Sequence, residues 1–89
     1  MEVVSVLQSD MPINMQTLIK GFIVDGFRKN LEFEDISKYI KNECDRKFGD
    51  EYLCIVVDKH CGFGSCLKCQ PGSLFMGEYQ GSRVILFRI

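Results

Sequence analysis

The chain has 89 residues, 46% of them hydrophobic and 26% charged, so we expect one globular domain spanning residues 1–89. Eleven basic and twelve acidic residues leave a net charge of -1, which argues against a nucleic-acid binder because such proteins normally carry a basic excess. The longest apolar run, Leu53–Val57, is too short to cross a bilayer, and the first residues do not resemble a signal peptide. The sequence therefore predicts an intracellular protein with reduced cysteines, with neither a membrane nor a nucleic acid as a partner.

Two helices are predicted in the first half of the chain. Residues 9–30 place apolar side chains at helical spacing, with Asp10 or Ser9 as the expected cap of the helix N-terminus. Gly21 and Gly26 each weaken a helix by about 1 kcal/mol relative to alanine, so either another element packs closely against them or the helix is soft. Residues 31–48 predict a second helix with one apolar and one charged face.

From Gly49 onward the hydrophobic pattern alternates with a period of two, which predicts strands. The expected strands are residues 52–57, 63–69, 73–79 and 82–89, preceded by a short edge strand in residues 3–7. Gln80 and Gly81 lie between the last two strands and suit a hairpin turn. Helices followed by a run of strands predict an α+β fold, with two helices packed on antiparallel β-strands.

The segment His60–Cys69 holds the only histidine and three of the five cysteines. A zinc site formed by His60, Cys61, Cys66 and Cys69 is one interpretation, since Cys66 and Cys69 have a spacing that structural zinc sites use. Against it, the sequence lacks a second, separated ligand pair, and Cys66 and Cys69 point to opposite faces if the segment is a strand. A thiol-redox centre would need a helix after Cys69, which the turn-forming residues there do not favour. We expect no metal or other cofactor, with a zinc-binding or thiol-redox protein as the alternative.

Five short strings follow one another along most of the chain, from about residue 4 to residue 88. They are DM and MQ at the first helix (Asp10, Met11, Met15, Gln16), IKNECDRKF (Ile40–Phe48), YLCIVV (Tyr52–Val57), FGS (Phe63–Ser65) and VILFR (Val84–Arg88). Their order and spacing resemble the eight-kilodalton dynein light chain family, although no single string is diagnostic.

The resemblance implies a non-enzymatic homodimer in which the FGS strand is exchanged across the dimer and pairs with the partner's sheet. A short linear peptide from a dynein intermediate chain or another client would add beside that strand through main-chain hydrogen bonds. Two such grooves would hold two client chains together and support motor assembly and microtubule-based transport. The implied location is the cytoplasm, on microtubules, with the ciliary axoneme as an alternative.

The resemblance also assigns site residues to this chain. The dimer interface would include Leu53, Phe63 and Ser65. The peptide-binding groove would draw on the second helix, the crossing strand and a neighbouring strand: Phe33, Glu34, Phe63, Gly64, Ser65, Cys66, Leu67, Lys68, Cys69, Leu74, Met76 and Glu78.

The chain departs from the family at several of these places. Extra residues, including His60 and Cys61, lengthen the loop before FGS. Glu34 stands where relatives carry a lysine and Lys68 where they carry a threonine, so a sign-swapped pair across the groove is one interpretation. Leu53 replaces a histidine whose protonation splits the dimer in relatives, which predicts a dimer without that switch. An assembly-only subunit whose groove no longer binds peptides is a further alternative.

Overall fold

The computed structural model describes residues 3–49, 51–60 and 70–88. Within these ranges the elements are β1 (Ser5–Ser9), α1 (Ile13–Lys29), α2 (Phe33–Phe48), β2 (Leu53–Asp58), β3 (Phe75–Tyr79) and β4 (Ser82–Phe87). The strands form one antiparallel sheet in the order β1-β3-β4-β2. This confirms the predicted α+β fold of two helices on antiparallel strands. The strand predicted for residues 63–69 lies outside the described residues.

The first helix begins at Ile13, later than the sequence indicated. Pro12 occupies the N-cap position, and no side chain caps the helix there. The predicted cap was wrong because both candidate side chains have other partners. The hydroxyl of Ser9 accepts a hydrogen bond from the backbone N–H of Met11 at 3.1 Å. The carboxylate of Asp10 accepts hydrogen bonds from the loop before β3.

The core forms where the apolar faces of both helices meet one face of the sheet. Ile19 and Ile23 from α1 are fully buried, as are Ile40 and Cys44 from α2. Strand residues complete this cluster: Val56, Phe75, Tyr79, Val84 and Leu86. Because side chains alternate along a strand, the strand residues next to these members in sequence belong to the opposite face of the sheet.

The two helical glycines differ in their surroundings. A Cβ atom built on Gly26 would lie 3.2 Å from Cδ1 of Tyr39, so α2 packs closely against α1 at this point. At Gly21 nothing lies within 4 Å of the same position. The expected close approach is therefore present at Gly26 and missing at Gly21.

The hairpin between β3 and β4 has a two-residue turn. Gln80 and Gly81 both have positive φ, 49° and 77°, as the predicted hairpin turn requires. The turn sets the register, with Tyr79 opposite Ser82 and Glu78 opposite Arg83. In the described part of the chain, no helix is long and apolar enough to cross a membrane.

Candidate functional site

The outer edge of β2 is the first feature of the candidate site. β2 pairs with β4 along its whole length, and no described strand pairs with its other side. Backbone N–H and C=O groups on such an edge are a ready template for another chain. α2 packs against β2, so a chain added to this edge would continue the sheet surface on which α2 lies.

The chain on either side of residues 61–69 is anchored at opposite ends of β4. The N–H of Lys59 donates to the carbonyl of Gly81 at 3.0 Å, just before β4 begins. The N–H of Gln70 donates to the carbonyl of Arg88 at 2.8 Å, just after β4 ends. The buried hydroxyl of Ser73 supports the second anchor, because it donates to the carbonyl of Gln70 at 2.6 Å and accepts from the N–H of Arg88 at 3.2 Å. The predicted groove residues 63–69, including the interface residues Phe63 and Ser65, fall between these anchors and outside the described residues.

The sheet face opposite the helices, here called the open face, is the second feature. Strands β2, β3 and β4 contribute to it Leu53, Ile55, Val57, Met76, Glu78, Arg83, Ile85 and Phe87. Ile85 and Phe87 are buried, whereas Leu53, Ile55, Val57 and Met76 are partly exposed. Leu53, the predicted interface residue, lies directly opposite Phe87 at the β2 edge. Neither described helix covers this face, and an apolar sheet face normally packs against another layer.

One ion pair lies on the open face. Nη2 of Arg83 is 3.1 Å from Oε2 of Glu78, and the two side chains are 26% and 29% exposed. Nε of Arg83 is buried and has no hydrogen-bond acceptor among the described residues. The sequence analysis did not predict Arg83 as a site residue. A signal for it was present, because a two-residue turn at Gln80 and Gly81 places Arg83 directly opposite Glu78.

Five predicted groove residues lie within the described ranges. Leu74 lies just before β3, where its N–H donates to Oδ1 of Asp10 at 2.9 Å, and the other four fall into two groups. Phe33 and Glu34 begin α2, and Glu34 pairs with Lys38 at 3.2 Å. Met76 and Glu78 belong to the open face of the sheet, on the other side from the helices. A single copy of the chain therefore does not bring these two groups to one surface. Lys68, the suggested partner of Glu34, lies outside the described residues.

The alternative zinc site rests largely on residues outside the described ranges. His60 is exposed, and its backbone N–H donates to Oδ1 of Asp58 at 2.8 Å. Cys61, Cys66 and Cys69 are not among the described residues. Across residues 3–49, 51–60 and 70–88, no three His, Cys, Asp or Glu side chains are grouped as metal ligands would be.

The two described cysteines are packing residues. Cys44 is fully buried between α2 and the sheet, and Cys54 packs against the same core. Burial raises the pKa of the Cys44 thiol to about 12, and neighbouring Asp45 and Glu43 act in the same direction. Burial likewise raises the pKa of Cys54, with a smaller contribution from Cys44. Neither thiol has the lowered pKa of a nucleophilic or redox-active cysteine.

Comparison with known proteins agrees with this fold. The family model for dynein light chain type 1 matches residues 3–89. No curated protein sequence matches the chain. The dynein light chain-like domain of the Fasciola hepatica calcium-binding protein FhCaBP2, in its native crystal, is similar with a TM-score of 0.83 at 15% identity, covering 99% of this chain and 92% of that one.

Two further structures are similar to the same degree. The mercury derivative of the Fasciola hepatica domain has a TM-score of 0.81 at 16% identity, covering 97% of this chain and 91% of that one. The DLC-like domain of CsTAL3, its residues 83–177, has a TM-score of 0.78 at 16% identity, covering 96% of this chain and 90% of that one. At these identities the structures show a shared fold, and the family model carries the assignment. The chain belongs to the dynein light chain family.

Proposed function

We propose that this dynein light chain family member is a non-enzymatic homodimer that binds short linear segments of other proteins. Clients such as a dynein intermediate chain add as strands, and the dimer holds two client chains together. The protein would support assembly of a motor complex and transport along microtubules in the cytoplasm. The observation that carries the proposal is the apolar open face of the sheet, which continues to an outer edge of β2 with which no described strand pairs.

The open face supports self-association. Its partly exposed side chains include Leu53, Ile55, Val57 and Met76, on a surface that neither helix covers. Taking one such side chain from full exposure to full burial is worth about 1.5–3 kcal/mol, so a second copy that covered the exposed part of these four side chains would gain a fraction of that value for each. A two-fold dimer uses the same patch on both copies, which suits a face that is apolar across three neighbouring strands.

The edge of β2 supports strand addition. Its outer side is unpaired within the described chain, and its inner side is held in register with β4 over six residue pairs. A rigid edge of this kind binds an extended chain through main-chain hydrogen bonds. The side chains beside the edge determine which peptide sequences bind best. In the proposed dimer the crossing strand of the partner subunit takes this edge, and the client pairs with that strand.

Sedimentation equilibrium at micromolar concentration tests the dimer. We expect the wild-type chain to be a dimer and Leu53→Asp to be a monomer, because a carboxylate at the open face would be buried against apolar side chains. Leu31→Asp is the matched control, since Leu31 is 96% exposed in the connection between the helices and should leave the dimer intact. A monomeric wild-type protein would contradict the proposal.

Fluorescence anisotropy with labelled dynein intermediate chain peptides tests client binding. We expect the wild-type dimer to bind at least one peptide and a variant changed at both Ser65 and Lys68 to bind it more weakly. Binding that both changes leave untouched would exclude the predicted groove. A wild-type dimer that binds none of the peptides would instead favour the assembly-only subunit.

A further inference from the structure

We propose that Glu78 and Arg83 form a charge-based recognition element within the dimer interface. In the two-fold dimer, Arg83 of one copy bonds to Glu78 of the partner subunit as well as to its own Glu78, so the open face selects another copy of this chain. The inference rests on the proposed homodimer and names the feature that determines which partner the open face accepts.

The position of the pair within the open face is the first argument. The register places Glu78 opposite Arg83 across the β3–β4 hairpin, and Arg83 is opposite Val57 on its other side. The next residues on the same face are apolar, Met76 on β3 and Ile85 on β4. Glu78 and Arg83 are the only charged side chains that the described strands β2, β3 and β4 place on this face. A partner that buries the apolar residues must therefore also accommodate two opposite charges.

The incomplete hydrogen bonding of Arg83 is the second argument. A guanidinium has five N–H donors, and the hydrogen bond to Glu78 uses Nη2. Nε is already buried in the single copy but has no acceptor among the described residues. A buried donor without an acceptor is unfavourable, and a carboxylate oxygen from a second copy would supply one.

Symmetry identifies the occupant as a second copy. A two-fold axis brings the same patch of both copies together, so a neighbouring positive and negative charge is complementary to itself. A partner with apolar residues at these positions would bury both charges without adding any acceptor or donor. Such a partner is therefore disfavoured. Polar groups that a wrong partner leaves without hydrogen bonds make an interface specific in this way.

Opposite charge reversals in two separate variants provide the test. Glu78→Arg gives a copy with two positive charges at this site, and Arg83→Glu gives a copy with two negative charges. We expect each homodimer to dissociate about tenfold more readily than the wild type, because like charges face each other across the interface. An equal mixture should form mainly the heterodimer, which native mass spectrometry counts directly.

The controls separate this inference from the proposed dimer. The variants Glu43→Arg and Arg46→Glu reverse another ion pair, on α2 and away from the open face, and their mixture should contain the three dimers in random proportions. The inference would be overturned if the Glu78→Arg and Arg83→Glu variants mixed in random proportions and each dissociated like a dimeric wild type. That result would not contradict the proposed homodimer. A monomeric wild type would instead refute the proposed function.

A neutral variant covers the case in which the charge reversals do not fold, as judged by circular dichroism. Glu78→Gln combined with Arg83→Gln keeps the approximate size of both side chains and removes both charges. Wild-type self-association should weaken more from low salt to ~1 M salt, where the screening length is about 3 Å, than self-association of the neutral variant. The same salt dependence in both proteins would overturn the inference.

Discussion

Asp10 and Leu74 are joined by a reciprocal pair of hydrogen bonds. The N–H of Leu74 donates to Oδ1 of Asp10 at 2.9 Å, and the N–H of Asp10 donates to the carbonyl of Leu74 at 3.2 Å. The N–H of Gly72 donates to the other carboxylate oxygen, Oδ2, at 2.9 Å. These bonds connect the chain before α1 to the loop before β3. Asp10 therefore stabilises a contact between distant parts of the sequence.

The Asp10 contact predicts a pH-dependent loss of stability in Asp10→Asn. The N–H groups of Gly72 and then Leu74 lower the pKa of Asp10, against a smaller opposing effect of burial. A lowered folded-state pKa gives stability that is present above the unfolded-state value of about 3.9 and is lost as the pH falls through the folded-state value. At neutral pH we expect Asp10→Asn to lower the free energy of unfolding by about 1 kcal/mol.

Urea denaturation at neutral and acidic pH checks this prediction. The difference between wild type and Asp10→Asn should begin to shrink below about pH 4, the unfolded-state value, and should vanish as the pH falls through the lower folded-state pKa of Asp10. Asp25→Asn, a change at an exposed carboxylate on α1, is the control and should have a small effect throughout. An equal loss at both pH values would mean that the charge of Asp10 does not contribute.

The elements with a strong hydrophobic period were predictable from the sequence. Ile36, Ile40 and Cys44 recur at helical spacing and all point into the core. The Gln80–Gly81 turn correctly indicated a hairpin. The start of α1 was not predictable, because Asp10 has the chemistry of a cap but binds residues more than sixty positions away. Local sequence carries no signal for such a tertiary contact.

The candidate site was predictable only in part. Alternation along β3 predicts that Met76 and Glu78 lie on one face of the sheet. The sequence does not tell which face the helices cover, because that depends on how β1 and α1 pack against the other strands. The residues around Phe33 and those around Met76 consequently belong to opposite sides of a single copy. Arg83 belongs to the site because the hairpin register places it opposite Glu78. The pattern of apolar and polar residues does not by itself indicate this pairing.

The two α1 glycines predict opposite outcomes for substitution by alanine. Gly21→Ala should raise the free energy of unfolding by about 1 kcal/mol, since alanine favours the helix and the added methyl group meets no atom. Gly26→Ala places the same methyl group 3.2 Å from the Tyr39 ring, so displacement of that ring should cancel the gain or reverse it. Thermal denaturation of the two variants compares them directly, and equal stabilisation would contradict the close packing at Gly26.

The buried thiols predict slow alkylation. With its pKa raised to about 12 by burial, Cys44 has almost no thiolate at neutral or mildly basic pH, and Cys54 is shifted in the same direction. We expect iodoacetamide to leave both residues unmodified in the folded protein and to modify both in urea, as peptide mass spectrometry reports. Rapid modification of either thiol in the folded protein would show that the core around α2 and β2 opens readily.

Ser73→Ala should loosen the end of the sheet that anchors Gln70. The Ser73 side chain is buried, and its hydroxyl joins the backbone of Gln70 to that of Arg88. Without it, the N–H of Arg88 loses the hydroxyl as its acceptor, whereas the carbonyl of Gln70 keeps the N–H of Ser73 at 3.1 Å. We therefore expect the free energy of unfolding to fall by about 1–3 kcal/mol. Because Gln70 follows directly after the predicted groove strand, self-association should weaken as well.

Urea denaturation and sedimentation equilibrium measure the two effects of Ser73→Ala. Ser37→Ala is the matched control, since its hydroxyl donates to the carbonyl of Glu34 at 2.8 Å on the exposed surface of α2. An exposed hydrogen bond of this kind contributes little because water replaces it, so the control should stay within about 0.5 kcal/mol of wild type. A Ser73→Ala variant that loses no more stability than the control and dimerises like the wild type would contradict the prediction. The Ser73 hydroxyl would then not be needed to hold Gln70 beside Arg88 at the end of β4.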